Sequence, residues 1–471
     1  MPVPETLGPR VALHLLNRAG YGPRPGQIAS VLDQGLTKWI EEQLEPGADP
    51  ELDTRLAPYP TIAYPTSQVL SLYNADNRTI GVILDQFFSA KVVRAVHARN
   101  QLQEVLVDFW FNHFNVFVND AFDRYSISSY ERDAIRPNVL GRFRDLLGAV
   151  TLHPAMLYYL DNYLNTVPRA AGGGRTVGGI NENHGRELLE LHTVGVDAGY
   201  TQTDVVEASR CLTGHGIDNI GQTGNYLYRA ANHDNGGKQV FGLAVAAGGG
   251  EGDIQRLLDY LAVHPATARF ISKRLAQRFV ADDPGESLVS RLADVFLRTD
   301  GDLREVTKAL FGSAEFWAEA FGSGKPRTGF EYVVGTLRAA GAEVKNSRVV
   351  RTAIQDAGMP LYACNPPTGY SNRGADWLNP SAQLYRMNLG LDLAAGAVAG
   401  VVVDIPGLIR SGGGEPSSPS SAAEAINRIV FGRTLTAASL AAAGRVTTTS
   451  GVPVATRVAG LLFAGPEMQV R

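Results

Sequence analysis

Residues 104–117 read EVLVDFWFNHFNVF, and no other stretch constrains the fold as tightly. It is too apolar for a surface helix. Yet Glu104, Asp108, Asn112 and Asn115 follow one another at steps of four, four and three, which on a helix is a single polar stripe. A carboxylate in such greasy surroundings is costly unless it is paired, hydrogen-bonded or metal-bound. Two readings are open. The stripe belongs to a buried structural network with arginine or lysine partners, or it lines a site.

A second stretch carries most of the chemistry. Residues 181–204 read NENHGRELLELHTVGVDAGYTQTD and follow a glycine-rich run at 171–179. Asn181 or Asn183 can cap a helix here, because a short polar side chain accepts from the free N–H groups of the first turn. On that helix Asn183, Arg186, Glu187 and Glu190 fall within an arc of roughly 100°, with Leu188, Leu189 and His192 on the other side. Two carboxylates, an amide and a guanidinium thus share one face, which a plain surface helix would also tolerate. Gly172, Gly173, Gly174, Gly178 and Gly179 make the preceding run read as a mobile loop. It is either a lid over a cleft or a plain surface loop.

Composition sets outer limits. The chain has 471 residues, 44% hydrophobic and 19% charged, enough for a large core. A net charge of −4 argues against a nucleic-acid partner. Cys211 and Cys364 permit one disulfide without requiring it, and they cannot build a cysteine metal cluster. No apolar run approaches the roughly 20 residues that span a bilayer. The N-terminus lacks the basic and long apolar regions of an export signal, which on its own reads as cytoplasmic.

The pattern predicts a mainly α protein: a large multi-helix assembly with a small β-hairpin excursion near 216–242. Helical spacing recurs over 9–44 around a Gly20–Pro23 turn, then over 79–117, 132–161, 254–280, 303–317 and 383–403. Thr201 and Asp204 predict a capping box before VVEASRCLTG, with Gly214 as the stop. Pro366–Tyr370 predicts a rigid turn with an exposed tyrosine. The composition of 412–421, GGGEPSSPSS, reads as a flexible linker. It would divide a main helical domain, 1–411, from a C-terminal helical segment, 422–471, packed on it.

Several segments resemble the bacterial domain-of-unknown-function 1800 family. They are HLLNRAGYGP (14–23), DFWFNHFNVF (108–117), YERDAIRPNVLGRFRDLLGAVTLHPAMLYYLDN (130–162), NENHGRELLELHTVGVDAGYTQTDV (181–205), HDNGGKQVFG (233–242), HPATARFISKRLAQRFV (264–280), PPTGY (366–370) and the closing GPEMQVR. The resemblance spans nearly the whole chain in order. It implies a largely helical protein and brings no established activity. Many relatives carry export signals and are encoded beside a sulfatase-like family, which makes a sulfatase-like protein the partner the resemblance suggests. Where relatives often show tyrosine after the Asn-Glu-Asn, this chain has His184.

The candidate site residues each have a plainer reading. Glu187 and Glu190 are the candidate acid/base pair or hard-metal ligands. Arg186 could hold an anionic substrate bidentately, or neutralise the glutamates. Asn183 and His184 lie where a ligand could reach them beside the glycine run. His233 and Asp234, followed by Lys238, form an acid/base or binding loop, or else a turn held by Asx bonding. His113 is about 140° from Asp108 around its helix, so the two cannot both point into one small site; His113 and His192 read more simply as hydrogen-bonded core histidines. A divalent metal is the cofactor these residues would admit, with Asp108, His113, Glu187 and Glu190 as the candidate ligands, although the paired Glu-x-x-His of dinuclear bundles is missing. No nucleophile elbow, P-loop or dinucleotide fingerprint appears.

The function expected from this pattern is acid/base or metal-assisted chemistry on an envelope-related or sugar-like substrate. The cleft would lie between the 104–115 helix, the 181–192 helix and the 233–238 loop. The alternative is a non-catalytic partner or assembly factor for a sulfatase-like protein.

Overall fold

The computed structural model describes residues 8–171, 175–447 and 451–471. They fold mainly into helices, joined by four small antiparallel two-stranded sheets. Helix Gln101–His113 runs through the main core, with Leu102, Val105, Leu106, Phe109, Trp110 and Phe111 all buried. Trp110 stacks on Phe114 and tilts against Phe143. A second hub, Gly329–Ala339, is buried along its whole length. It begins at a capping box formed by Thr328 and Glu331. A Cβ on its Gly335 would lie 3.0 Å from the Tyr21 carbonyl, so the glycine lets two backbones approach closely.

The polar stripe of the first hub is real, and each member has a partner. Arg136 reaches Glu104 with two bonds, of 2.7 and 3.0 Å, and Glu131 with one of 3.2 Å. Lys91 is 3.0 Å from Asp108 and 3.9 Å from Glu131. Asn112 accepts from Tyr370 N and donates to Tyr370 O, and Asn115 donates to the carbonyls of Cys364 and Pro366. Burial opposes ionisation of Glu131, but Lys91, Arg136, Arg94 and the Tyr362 hydroxyl outweigh it and hold its carboxyl at about 2.

Local signals account for most boundaries. The capping box at Thr201 and Asp204 opens helix Gln202–Cys211, and Gly214 follows at φ 80°. The segment 26–44 is two helices, Gln27–Gln34 and Leu36–Leu44, because Gly35 at φ 94° breaks the run. The 216–242 excursion contains the hairpin His215–Asp218/Asn225–Tyr228. It also holds the first strand of a second hairpin, Lys238–Val240/Leu243–Val245. The small-residue helix is Pro380–Ala394, and its expected tail instead supplies the short strand Val401–Val402.

Two glycine-rich stretches carried the expectation of a mobile loop and a flexible linker. Strands Thr166–Ala171 and Arg175–Gly179 pair as an antiparallel hairpin. Gly172, Gly173 and Gly174, the heart of the expected mobile loop, lie outside the described residues. At 412–421, helix Ile405–Ser411 ends at Gly412, and Pro419–Ile429 begins under a cap from the Ser418 hydroxyl. A Cβ on Gly412 would lie 2.8 Å from the Ala425 carbonyl. The glycines and serines there make a packed helix-to-helix turn. Tyr370 is half-buried, and its hydroxyl donates to Pro360 O. The two cysteines are free and buried.

Candidate functional site

The segment 183–192 is not a uniform α-helix. An α turn, Asn183–Glu187, passes into a π turn, Leu188–His192. Such wide turns are rare and concentrate at functional sites. Asn181 Oδ1 accepts from Asn183 N at 3.0 Å, two residues before the helix begins, while Glu182 at the cap position makes no side-chain cap bond. Gly185 is required by packing: a Cβ there would lie 2.8 Å from Ser209 N on helix Gln202–Cys211. Leu188, Leu189, His184 and His192 turn inward, and this leaves Glu187 and Glu190 half-buried on the outer side.

Glu190 accepts from the Tyr200 hydroxyl at 3.2 Å. Glu187 receives no side-chain hydrogen bond among the described residues. Burial, together with the neighbouring Glu190, pushes its carboxyl up to about 7, against a weaker opposing pull from Arg186. Arg186 donates to Glu182 Oε2 at 3.1 Å and to Gln202 Oε1 at 3.0 Å, on a well-exposed flank. The arrangement can hold and release a proton near neutrality beside a second carboxylate and a phenol. Tyr200 was not anticipated; the only signal was an aromatic residue immediately before the capping threonine.

The raised carboxyl has a consequence for stability. Because Glu187 binds its proton more tightly folded than unfolded, its contribution is fully present below about 4.5 and is lost as pH rises toward about 7. Glu187→Gln should therefore match the wild type in denaturant unfolding at pH 4 and exceed it at pH 8. Equal stability at both values would mean that Glu187 titrates normally.

The other candidates are placed elsewhere. His233 and Lys238 are buried, and both meet Asp253 Oδ2, at 3.2 and 2.6 Å. Lys238 also donates to the carbonyl of Gly236 at 2.9 Å. Asp234 is held by Arg210 with bonds of 2.7 and 3.1 Å. These bonds to Arg210 are the main reason its carboxyl drops to about 2. The 233–238 loop is thus a turn held by ion pairs, with Asn235 and Gly237 exposed. Asp253 lies fifteen residues beyond Lys238 in a glycine-rich segment, which hid it from a local reading.

His113 Nε2 is 3.2 Å from the His192 carbonyl, and this is where the 101–113 and 188–192 segments meet. Asp108 is turned away toward Lys91, so it shares no partner with Glu187. Burial holds His113, His184 and His192 at about 3, so all three are neutral. Among the described residues, both ring nitrogens of His184 are buried without a hydrogen-bond partner. Among the described residues, no three histidine, cysteine or acidic side chains come together as a metal-binding group. None of the helices searched is long and apolar enough to cross a membrane.

The chain matches the model of the family described as "Protein of unknown function (DUF1800)" over residues 14–470. The match covers nearly its whole length, and the chain belongs to that family. No curated protein and no solved structure matches it.

Proposed function

We propose that the protein is an acid–base enzyme whose centre is the Glu187/Glu190 pair. The observation that supports this most is a half-buried carboxyl with its pKa near 7 beside a second carboxylate. Perturbed acids of this kind concentrate where proton transfer is needed. Glu187 serves as the proton donor, and Glu190, oriented by Tyr200, as its carboxylate partner. Arg186 and Asn183 border the same face and bind the substrate's anionic or hydroxyl groups. The substrate class we favour is a sugar-like or sulfated envelope component, a choice that rests on the sulfatase-like genes beside many relatives.

The second reading is a non-catalytic partner of a sulfatase-like protein. One observation favours it: Glu104, Asp108, Glu131, His233, Asp234 and Lys238 are all occupied by partners within the chain. Turnover separates the two. Soluble neutral and sulfated saccharide fragments should be consumed with a pH–rate profile that inflects near 7. A panel left unturned across pH 5–9 would favour the partner reading.

A further inference from the structure

On the Asp108 side of the Gln101–His113 helix, away from Glu187, a narrow cleft is lined by Phe109 and Trp377, by the cations Arg278, Lys325 and Arg471, and by the carboxylates Asp108 and Glu331. The two arginines have too few acceptors, whereas Lys325 donates to the carbonyls of Gln277 and Asn372 as well as to Asp282. Arg278 lies 2.9 Å from Glu331 Oε1, and Arg471 Nε lies 3.1 Å from Glu331 Oε2, so one carboxylate is shared between two guanidiniums. Lys325 is 2.8 Å from Asp282. Their side chains are only 6%, 4% and 5% exposed, yet among the described residues Nη1 of Arg278 and Nη1 of Arg471 are buried without an acceptor.

The imbalance extends inward. Arg18, within electrostatic reach of Arg278, is fully buried, and all three of its guanidinium nitrogens lack an acceptor. Arg327 adds a further buried cation near Glu331. Against these five cations stand Glu331, Asp282 and the half-buried Glu319. Asp108 adds nothing, because Lys91 neutralises it at 3.0 Å. An excess of buried positive charge is costly and calls for an anion. Lys325 registers the excess: burial, with Arg471 next, pulls its amine down to about 7.

We propose that this cleft binds a small carboxylate group, carried by a ligand whose apolar remainder lies against Trp377 and Phe109. The carboxylate lies against the guanidiniums of Arg278 and Arg471, which line the cleft. Size selects the anion. The free space is small, about 30 Å³. That suits the two oxygens of a carboxylate better than tetrahedral sulfate or phosphate. The site is separate from the Glu187/Glu190 pair and does not depend on its chemistry.

The test titrates the full chain with acetate, butyrate, phosphate and sulfate at constant ionic strength, followed by tryptophan fluorescence and calorimetry. Acetate and butyrate should give saturable signals, with butyrate the tighter. Near pH 7 binding should take up protons as Lys325 recharges. Trp377→Phe should keep the calorimetric binding and lose the fluorescence change. Arg278→Lys, which keeps the charge and removes the fork, should weaken binding by roughly tenfold. No saturable heat or fluorescence change from either carboxylate in the wild type would overturn the proposal. So would sulfate or phosphate binding at least as tightly, a fluorescence change that persists in Trp377→Phe, or unaltered affinity in folded Arg278→Lys. The wild-type titration decides alone if that variant does not fold.

Discussion

Arg136→Met should lower unfolding stability by about 3–5 kcal/mol at pH 7, the range for removing one partner of a buried ion pair. The effect is large because, among the described residues, Arg136 is the one cation paired with Glu104, whose side chain is 4% exposed. Glu131 is less affected, since Lys91 and Arg94 remain at 3.9 and 4.0 Å. Removing both charges should separate the cost of an orphaned carboxylate from the worth of the pair. Arg136→Met with Glu104→Leu should therefore recover most of the loss. Denaturant unfolding of the two single variants and the double variant measures this. A loss below about 1 kcal/mol for Arg136→Met would mean that water reaches Glu104 and that the stripe is no sealed network. The same cluster predicts acid sensitivity. Glu131, held at about 2 when folded, contributes stability above its unfolded value of 4.5 that is lost as pH falls toward 2.

Glu190→Gln should act in the opposite way, with little effect on stability and a large one on turnover. Its only side-chain partner among the described residues is the Tyr200 hydroxyl, which can also bond an amide. Unfolding stability should therefore stay within about 0.5 kcal/mol of wild type, as for substitutions away from buried networks. Loss of a positioned acid–base group typically costs 10²–10⁴-fold in rate, so turnover of the saccharide substrates should fall by about that much. If the variant loses stability while turnover is unchanged, Glu190 is a structural residue and the proposed centre is misplaced.

The sequence made some of this legible and concealed the rest for physical reasons. The stripe at 104–115 was visible because polar residues at helical spacing are conspicuous on an apolar helix. The box at Thr201 was visible because capping is local chemistry within four residues. Helix Gly329–Ala339 left no such trace. It is buried on every side, so no polar face marks its period, and only Thr328 and Glu331 announce its start. The partners of the charged groups were hidden by distance along the chain: Arg136 is thirty-two residues from Glu104, and Tyr362 is 231 from Glu131. Glu187 and Glu190 could be placed on one face in advance. Which of the acidic stripes stayed free of an internal cation could not, since that depends on where every arginine lands.

The central claim is that Glu187 is a proton donor poised near neutrality. Carboxyl-carbon NMR of the protein, selectively labelled at glutamate and assigned through Glu187→Gln, measures this directly. The expected result is a Glu187 titration near 7 in the wild type that moves down, but stays above 4.5, in Glu190→Gln, because burial persists when the neighbouring charge is removed. A Glu187 carboxyl that titrates at 4.5 in both proteins would contradict the account.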